Sequence, residues 1–161
     1  MKIAVVKETY PQERRVALVP VAVAALIKLD QQVLVETGAG ASSGYSDEEY
    51  QEKGAQIVAS RADAFAADIV LQVRSLGANP EAGPADLELM RDGQIVIGMS
   101  DPLGNPQAAG DLATAGATHF ALELIPRITR AQSMDVLSSQ ATIAGYRAVL
   151  IAATELPKMF P

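Results

Sequence analysis

The 161-residue sequence contains no cysteine, no tryptophan, a single histidine and only 4% aromatic residues. Without cysteine there are no disulfide staples, no thiolate nucleophile and no metal site that needs sulfur. The one histidine, His119, lies in the apolar stretch Thr118-His119-Phe120-Ala121. Alone it cannot build a zinc site or a serine triad, and a packed, edge-of-core imidazole is the commoner use of such a residue; no metal centre is expected. Scarce aromatics leave the packing of a core to aliphatic side chains and alanine. A positive excess is also missing: the net charge is -6 and the pI about 4.7. The chain as a whole therefore lacks the field that phosphate backbones or anionic lipid surfaces attract, and no nucleic-acid partner is expected. No apolar run approaches the roughly 18 residues of a membrane span, and the opening Ile3-Ala4-Val5-Val6 is too short for a signal peptide, so a cytoplasmic chain without direct membrane insertion is expected.

An apolar content of 49% in a chain of this length suffices for one core that offsets the ordering entropy of folding. Short runs rich in valine and isoleucine at 3–6, 33–35, 69–73, 95–98 and 118–122 alternate with alanine-rich helical stretches. This is the pattern of buried parallel strands and crossover helices, so the expected fold class is α/β, a mainly parallel sheet with flanking helices. Pro20 opens a helical pattern through Ala22, Ala25, Leu26 and Leu29, since a first-turn proline forfeits no hydrogen bond. Ser46-Asp47-Glu48-Glu49 reads as a capping box and Gly54 as the stop of the helix it starts. Two more helices are expected over 60–66 and 105–115. Residues 76–84, with two prolines and two glycines, read as the one loop of any length. The last apolar helix is expected over 134–153, followed by an apolar tail, Leu156-Pro157-Lys158-Met159-Phe160-Pro161.

One motif invites a nucleotide-binding reading. Val33-Leu34-Val35 runs into Gly38-Ala39-Gly40-Ala41-Ser42-Ser43-Gly44. A dinucleotide fingerprint, however, needs its third glycine inside the first turn of the following helix, whose amino end meets the pyrophosphate. Here that glycine comes one residue late, the helix is capped only at Ser46, and the acidic residue expected at the end of the next strand to hold a ribose has no convincing candidate after Ile57-Val58. The glycines read as turn residues, present for positive φ or tight packing.

Two polar clusters interrupt the regular patterns. Lys7, Glu8, Glu13, Arg14 and Arg15 follow the first strand, at the carboxyl edge where parallel sheets bind ligands; the plain alternative is a solvated loop. Arg127-Ile128-Thr129-Arg130-Ala131-Gln132-Ser133-Met134-Asp135-Val136-Leu137-Ser138 leads into the last helix. The amides and dipole of a helix start favour an anion or an amide oxygen there, while Asp135 or Ser133 could equally serve as its cap.

The run R-I-T-R-A-Q-S-M-D-V-L-S-S-Q-A-T-I-A-G-Y-R over 127–147 closely resembles the NAD(H)-binding component of proton-translocating NAD(P) transhydrogenases. The opening K-E-T-Y-P-Q-E-R-R-V-A-L-V-P over 7–20 is similar to the start shared with alanine dehydrogenases, and the likeness extends over essentially the whole chain. The resemblance implies a lobe of flavodoxin-like or Rossmann-like type over 1–135, and over 136–161 a long helix leading to a Rossmann NAD-binding domain that lies outside this sequence. It implies NAD(H) in the cleft between the two, NADP(H) on a partner domain, and hydride transfer between them coupled to proton movement elsewhere. Arg127, Asp135 and Ser138 match family positions beside the nicotinamide, and Gln132 the glutamine that reaches toward the NADP(H) domain, which makes Gln132 and Asp135 the candidate catalytic residues. Further implied partners are a homodimer mate, a membrane domain and an NADP(H)-binding beta subunit, with the assembly peripheral to the inner membrane of a bacterium. An alanine dehydrogenase lobe is the enzymatic alternative: Arg15 matches its carboxylate-holding arginine and Arg74 falls where it carries a lysine, but Gly98-Met99-Ser100-Asp101 supplies no histidine as general acid and base. A non-catalytic, subunit-binding module is the third reading. The lobe alone is expected to be inactive and to bind NADH weakly.

Overall fold

A computed structural model describes residues 1–159; the end of the apolar tail, Phe160 and Pro161, lies outside the described residues. The chain divides into two compact units, Met1–Ala121 and Leu122–Pro161.

The first unit is built on six strands: β1 (Lys2–Val5), β2 (Gln32–Glu36), β3 (Gln56–Val58), β4 (Ile69–Arg74), β5 (Ile95–Met99) and β6 (Thr118–Ala121). Every neighbouring pair is parallel and the order is β3-β2-β1-β4-β5-β6. The α/β class and parallel sheet expected from the valine-rich runs are therefore found, with helices α1 (Pro20–Ile27), α2 (Asp47–Glu52), α3 (Arg61–Phe65), α4 (Pro84–Leu87) and α5 (Pro106–Thr114) between the strands. The strand order reverses between β1 and β4, which makes the carboxyl ends of those two strands the topological switch point.

Alternation along the central strands divides the core between the two faces of the sheet. Val5, Val33 and Val35 pack with Val23 of α1 and Tyr50 of α2, whereas Ala4, Val6 and Leu34 pack with Ala64 and Phe65 of α3. The capping box at Ser46 forms as expected, its hydroxyl accepting from the Glu49 amide and the Glu49 carboxylate accepting from the Ser46 amide. Two large aromatics in the core, Tyr50 and Phe65, are almost completely buried; the Tyr50 hydroxyl donates to the carbonyl of Leu18 at 2.7 Å.

Residues 76–84 differ from the open loop expected. A 3-10 turn over Leu76–Ala78 leads through a further turn into α4, which starts on Pro84. The segment packs close: a Cβ on Gly77 would stand 1.8 Å from the Ser100 carbonyl oxygen, and buried Asn79 donates to the Thr9 hydroxyl. Its glycines and prolines serve tight packing and a helix start rather than openness, two uses that composition does not separate.

The glycine motif resolves as turns. Gly38 and Gly44 have φ of +71° and +87°, a 3-10 turn spans Ala41–Ser43, and a Cβ on Gly40 would meet the Tyr45 carbonyl and the Tyr50 ring within 3 Å.

In the second unit, 3-10 turns over Leu122–Leu124 and Thr129–Met134 precede α6 (Val136–Glu155), a helix of 20 residues. None of its residues is buried, and Ile143, Tyr146, Val149, Leu150 and Ile151 are all exposed. By length and composition alone α6 is long and apolar enough to cross a membrane, contrary to the expectation that no segment approaches a span. The alanines and the unbroken run 148–153 raise its average despite Ser138, Ser139, Gln140 and Arg147.

Candidate functional site

The charged cluster after β1 folds onto the switch point, and its two carboxylates find their partners within the protein. Glu8 accepts from the backbone N–H groups of Val73 (2.6 Å) and Arg74 (3.1 Å), beside the register shift between β4 and β5. Burial pushes its carboxyl above the ordinary range, and the two backbone donors offset only part of that. Glu13 has a side chain only 6% exposed and bridges two arginines: Arg15 donates to it through Nε (2.7 Å) and NH2 (2.6 Å), Arg74 through Nε (3.0 Å). The Arg15 guanidinium, helped by Arg74, holds the Glu13 carboxyl down to about 2. Arg74 also lies over the Tyr10 ring, 4.2 Å from its centroid.

A second ion pair sits deeper. Arg61 forms a two-pronged bond to Asp86, Nε to Oδ1 at 2.6 Å and NH2 to Oδ2 at 2.8 Å, and also donates to the carbonyl of Lys7. Buried Gln72 donates to the same Asp86 carboxylate. Burial works against the Arg61 charge, yet Asp86 and Glu36 outweigh it and keep the guanidinium firmly protonated. Sequence spacing gave no signal for this pair, because Arg61 and Asp86 are 25 residues apart and meet only once α3 and α4 are placed.

His119 takes the edge-of-core role. Its ring is half-buried, with Nε2 2.9 Å from the Ser75 hydroxyl and Nδ1 3.4 Å from that of Ser100. The Ser75 hydroxyl also donates to the Met99 carbonyl, which ties the histidine contact to the end of β5.

The second polar cluster gathers at the start of α6. Arg127, Gln132, Asp135 and Ser138, the four residues singled out in the sequence, line one cleft of about 380 Å³. Asp135 is the N-cap of α6: its Oδ1 accepts from the backbone N–H groups of Leu137 (2.9 Å) and Ser138 (3.0 Å), and its Oδ2 accepts from the Ser138 hydroxyl (2.7 Å). The Ser138 hydroxyl first, then the backbone amides and the Arg127 charge, hold the Asp135 carboxyl below its usual range. Of the two caps considered from sequence, Asp135 is the one used. Capping and lining the cleft are compatible, because the cap engages one oxygen fully and the other only through Ser138. The cleft thus offers a cation with donors only, a fixed carboxylate, a hydroxyl and a primary amide, a set that suits a small polar group carrying both a carbonyl and an N–H.

The alanine dehydrogenase/PNT N-terminal domain family matches residues 4–144. Among curated relatives, the NAD(P) transhydrogenase subunit alpha of Cereibacter sphaeroides is 42% identical over 161 residues, covering 99% of this chain and 30% of that protein. Among solved structures, a transhydrogenase from Sinorhizobium meliloti superposes with a TM-score of 0.91 at 45% identity, covering 100% of this chain and 46% of that one. An L-alanine dehydrogenase follows at a TM-score of 0.85 and 31% identity, covering 96% of this chain and 40% of that one. The chain thus spans less than half the length of the proteins it matches.

Proposed function

The chain belongs to the alanine dehydrogenase/PNT N-terminal domain family, and from that premise we propose that it forms one wall of the NAD(H) cleft of a proton-translocating NAD(P) transhydrogenase alpha subunit. The observation that carries this reading is the gathering of Arg127, Gln132, Asp135 and Ser138 around one cleft at the start of α6. Their donor set fits the carboxamide end of a nicotinamide, and the greater identity to transhydrogenases than to the alanine dehydrogenase favours that branch. So does Gly98-Met99-Ser100-Asp101 at the end of β5, where an alanine dehydrogenase would need its histidine, while His119 is held between two serines.

When bound, the nicotinamide supplies the hydride and the protein supplies position. Arg127 orients a carbonyl, and Asp135 with Ser138 holds an amide against it. Gln132, exposed on the 3-10 turn over Thr129–Met134, reaches toward a second nucleotide, NADP(H), carried by a partner domain. The dinucleotide phosphates fall to a Rossmann domain beyond this sequence, since Gly38, Gly40 and Gly44 form turns and the helix after them, α2, has its start capped by its own Ser46 and Glu49. The apolar, exposed α6 seeks cover in the completed subunit and in a homodimer, and the assembly sits peripheral to the inner membrane through its membrane-domain and beta-subunit partners.

In a subunit completed with its dinucleotide-binding half, Arg127→Ala is expected to slow hydride transfer to an NADP analogue by about a hundredfold, the effect of a misplaced reacting group. Gln132→Asn should slow it while leaving NADH affinity unchanged. Wild-type rates in both variants would defeat the proposal, as would micromolar NADH affinity in the 161-residue chain alone.

A further inference from the structure

A carboxamide or carboxyl side chain is open to attack by the amide nitrogen of the next residue. The attack needs a hydrogen on that nitrogen and is fastest where no side chain stands in the way. Both asparagines, Asn79 and Asn105, precede proline, whose nitrogen has no hydrogen, so neither can react in this way. Of the nine aspartates, only Asp92 is followed by glycine.

Asp92 and Gly93 are exposed in the turn between α4 and β5. The Gln94 N–H closes that turn on the Arg91 carbonyl at 3.1 Å, and Gly93 holds its third position with φ +75°, as a type II turn requires. One neighbour restrains both residues. The Gly93 N–H donates to the Gly116 carbonyl at 2.9 Å. The Asp92 side chain lies against Gly116 itself, where a Cβ would stand 2.5 Å from Asp92 Oδ1. Gly116 is left-handed, with φ +75°, just past the end of α5.

We infer that Asp92–Gly93 is a site of spontaneous rearrangement to isoaspartate, and that Gly116 is the clamp that sets its rate. The Gly93 nitrogen attacks Cγ of the protonated Asp92 carboxyl. The N–Cγ bond forms, a Cγ–O bond breaks, and the hydroxyl leaves with the amide hydrogen as water. Water then opens the five-membered imide at either carbonyl. Opening at the main-chain carbonyl leaves the chain running through the side chain, one methylene longer, with a free α-carboxylate. The reaction needs only water, and the hydrogen bond to Gly116 lies across its path: the Gly93 nitrogen must leave Gly116 before it can turn to Cγ. The added methylene then falls just before buried Gln94, whose side-chain amide holds the carbonyls of Phe65 and Ala67 at 2.7 and 2.8 Å and so seats the start of β5. The free α-carboxylate also defines the class of partner that acts on the product, an enzyme that methylates isoaspartyl carboxylates from a sulfonium donor.

The test incubates the chain at one mildly acidic pH, native and unfolded in urea, and locates isoaspartate by peptide mapping and isoaspartyl-specific methylation. In urea it should appear at residue 92 before any other. In the native chain it should appear at the same residue about tenfold more slowly, the scale of a hydrogen-bonded turn that must open first. Gly116→Ala, whose Cβ displaces Asp92, should close most of that gap. Asp92→Asn forms the same imide by losing ammonia, and the mass change measures the native-to-unfolded ratio with Gly116 intact. That second ratio decides the matter if circular dichroism shows Gly116→Ala to be unfolded. Isoaspartate arising first at another residue, or none at residue 92 in the native chain after the unfolded chain has converted, overturns the site. Equal rates in native and unfolded chains overturn the clamp, as does a folded Gly116→Ala that rearranges at the wild-type rate.

Discussion

The molecule carries two groups of charged side chains that look alike in sequence and differ in what their charges do. At the carboxyl ends of β1 and β4, Glu13 answers Arg15 and Arg74, and Asp86 answers Arg61, with both carboxylates nearly out of reach of solvent. At the start of α6, Asp135 is answered chiefly by its own helix, and Arg127 and Gln132 stand exposed beside it. The first group occupies the switch point, where topology alone would put a ligand. Its carboxylates are the ligands already. The contrast teaches that a charged residue at a ligand-binding edge becomes a candidate only after its hydrogen-bonding capacity has been followed to its partners.

The sharpest way to break this comparison is to remove one carboxylate from each group. Asp86→Ala strands the largely buried Arg61 guanidinium and the Gln72 amide, and removing one partner of a buried pair costs about 3–5 kcal/mol. Thermal unfolding of the 1–121 unit, followed by tyrosine absorbance, should shift down accordingly. Asp135→Ala should leave that transition in place and reduce only the helical signal of α6. Equal shifts from the two variants would erase the distinction drawn between the groups.

A smaller effect separates Glu8 from Glu13 by the sign of their pH dependence. The Glu13 carboxyl lies at about 2, below its ordinary value of 4.5. Its contribution to stability is fully present above 4.5 and is lost as pH falls through about 2. Burial raises the Glu8 carboxyl above 4.5, so its contribution has the opposite sense: protonated Glu8 favours folding at low pH, and that advantage disappears as pH rises through its folded-state value. Glu13→Gln should therefore flatten the loss of stability between pH 4.5 and 2 in acid-unfolding curves, whereas Glu8→Gln should leave that limb unchanged and remove the gain in stability that the parent shows above it, as pH falls toward 4.5. Parallel curves for the two variants would contradict the assignment. Tyr50→Phe, which leaves the Leu18 carbonyl without its donor, should cost about 1 kcal/mol at any pH between these limits and neutrality.

Legibility in the sequence followed the range of the interactions concerned. The five short apolar runs, the capping box at Ser46 and the proline start of α1 are local signals, and each forms where the sequence predicts it. Residues 76–84 misled because glycine and proline there serve close packing against Ser100 and the start of α4, both of which depend on chain far away. The cleft residues Arg127, Gln132, Asp135 and Ser138 span one short segment, so their gathering was legible, and family resemblance singled them out. What could not be read was the direction of the Ser138 hydroxyl, which depends on geometry at the scale of one hydrogen bond. Nor could the partnership of Arg61 with Asp86 be read, since it depends on the placing of two helices.

The smallest effect concerns how the helices of the first unit stop, where one helix departs from its neighbours. At the end of α5, Gly116 has φ +75°, its N–H donates to Ala113, and the next N–H, of Ala117, reaches back to Leu112. This two-bond ending needs a left-handed residue, usually glycine. The end of α1 has the same two bonds, from Asp30 to Ile27 and from Gln31 to Leu26, but the left-handed residue is Asp30, at φ +55°. A side chain held there is strained by about 1 kcal/mol, which aspartate tolerates better than most. Asp30→Gly should relieve it, less the entropy that glycine loses on folding, and raise stability by about 0.5 kcal/mol. Gly116→Asp would move the other way and by more, because a Cβ at Gly116 would stand 2.5 Å from the Asp92 carboxylate. A denaturation midpoint that falls in Asp30→Gly would mean that the Asp30 side chain contributes a contact at the end of α1 beyond its backbone role.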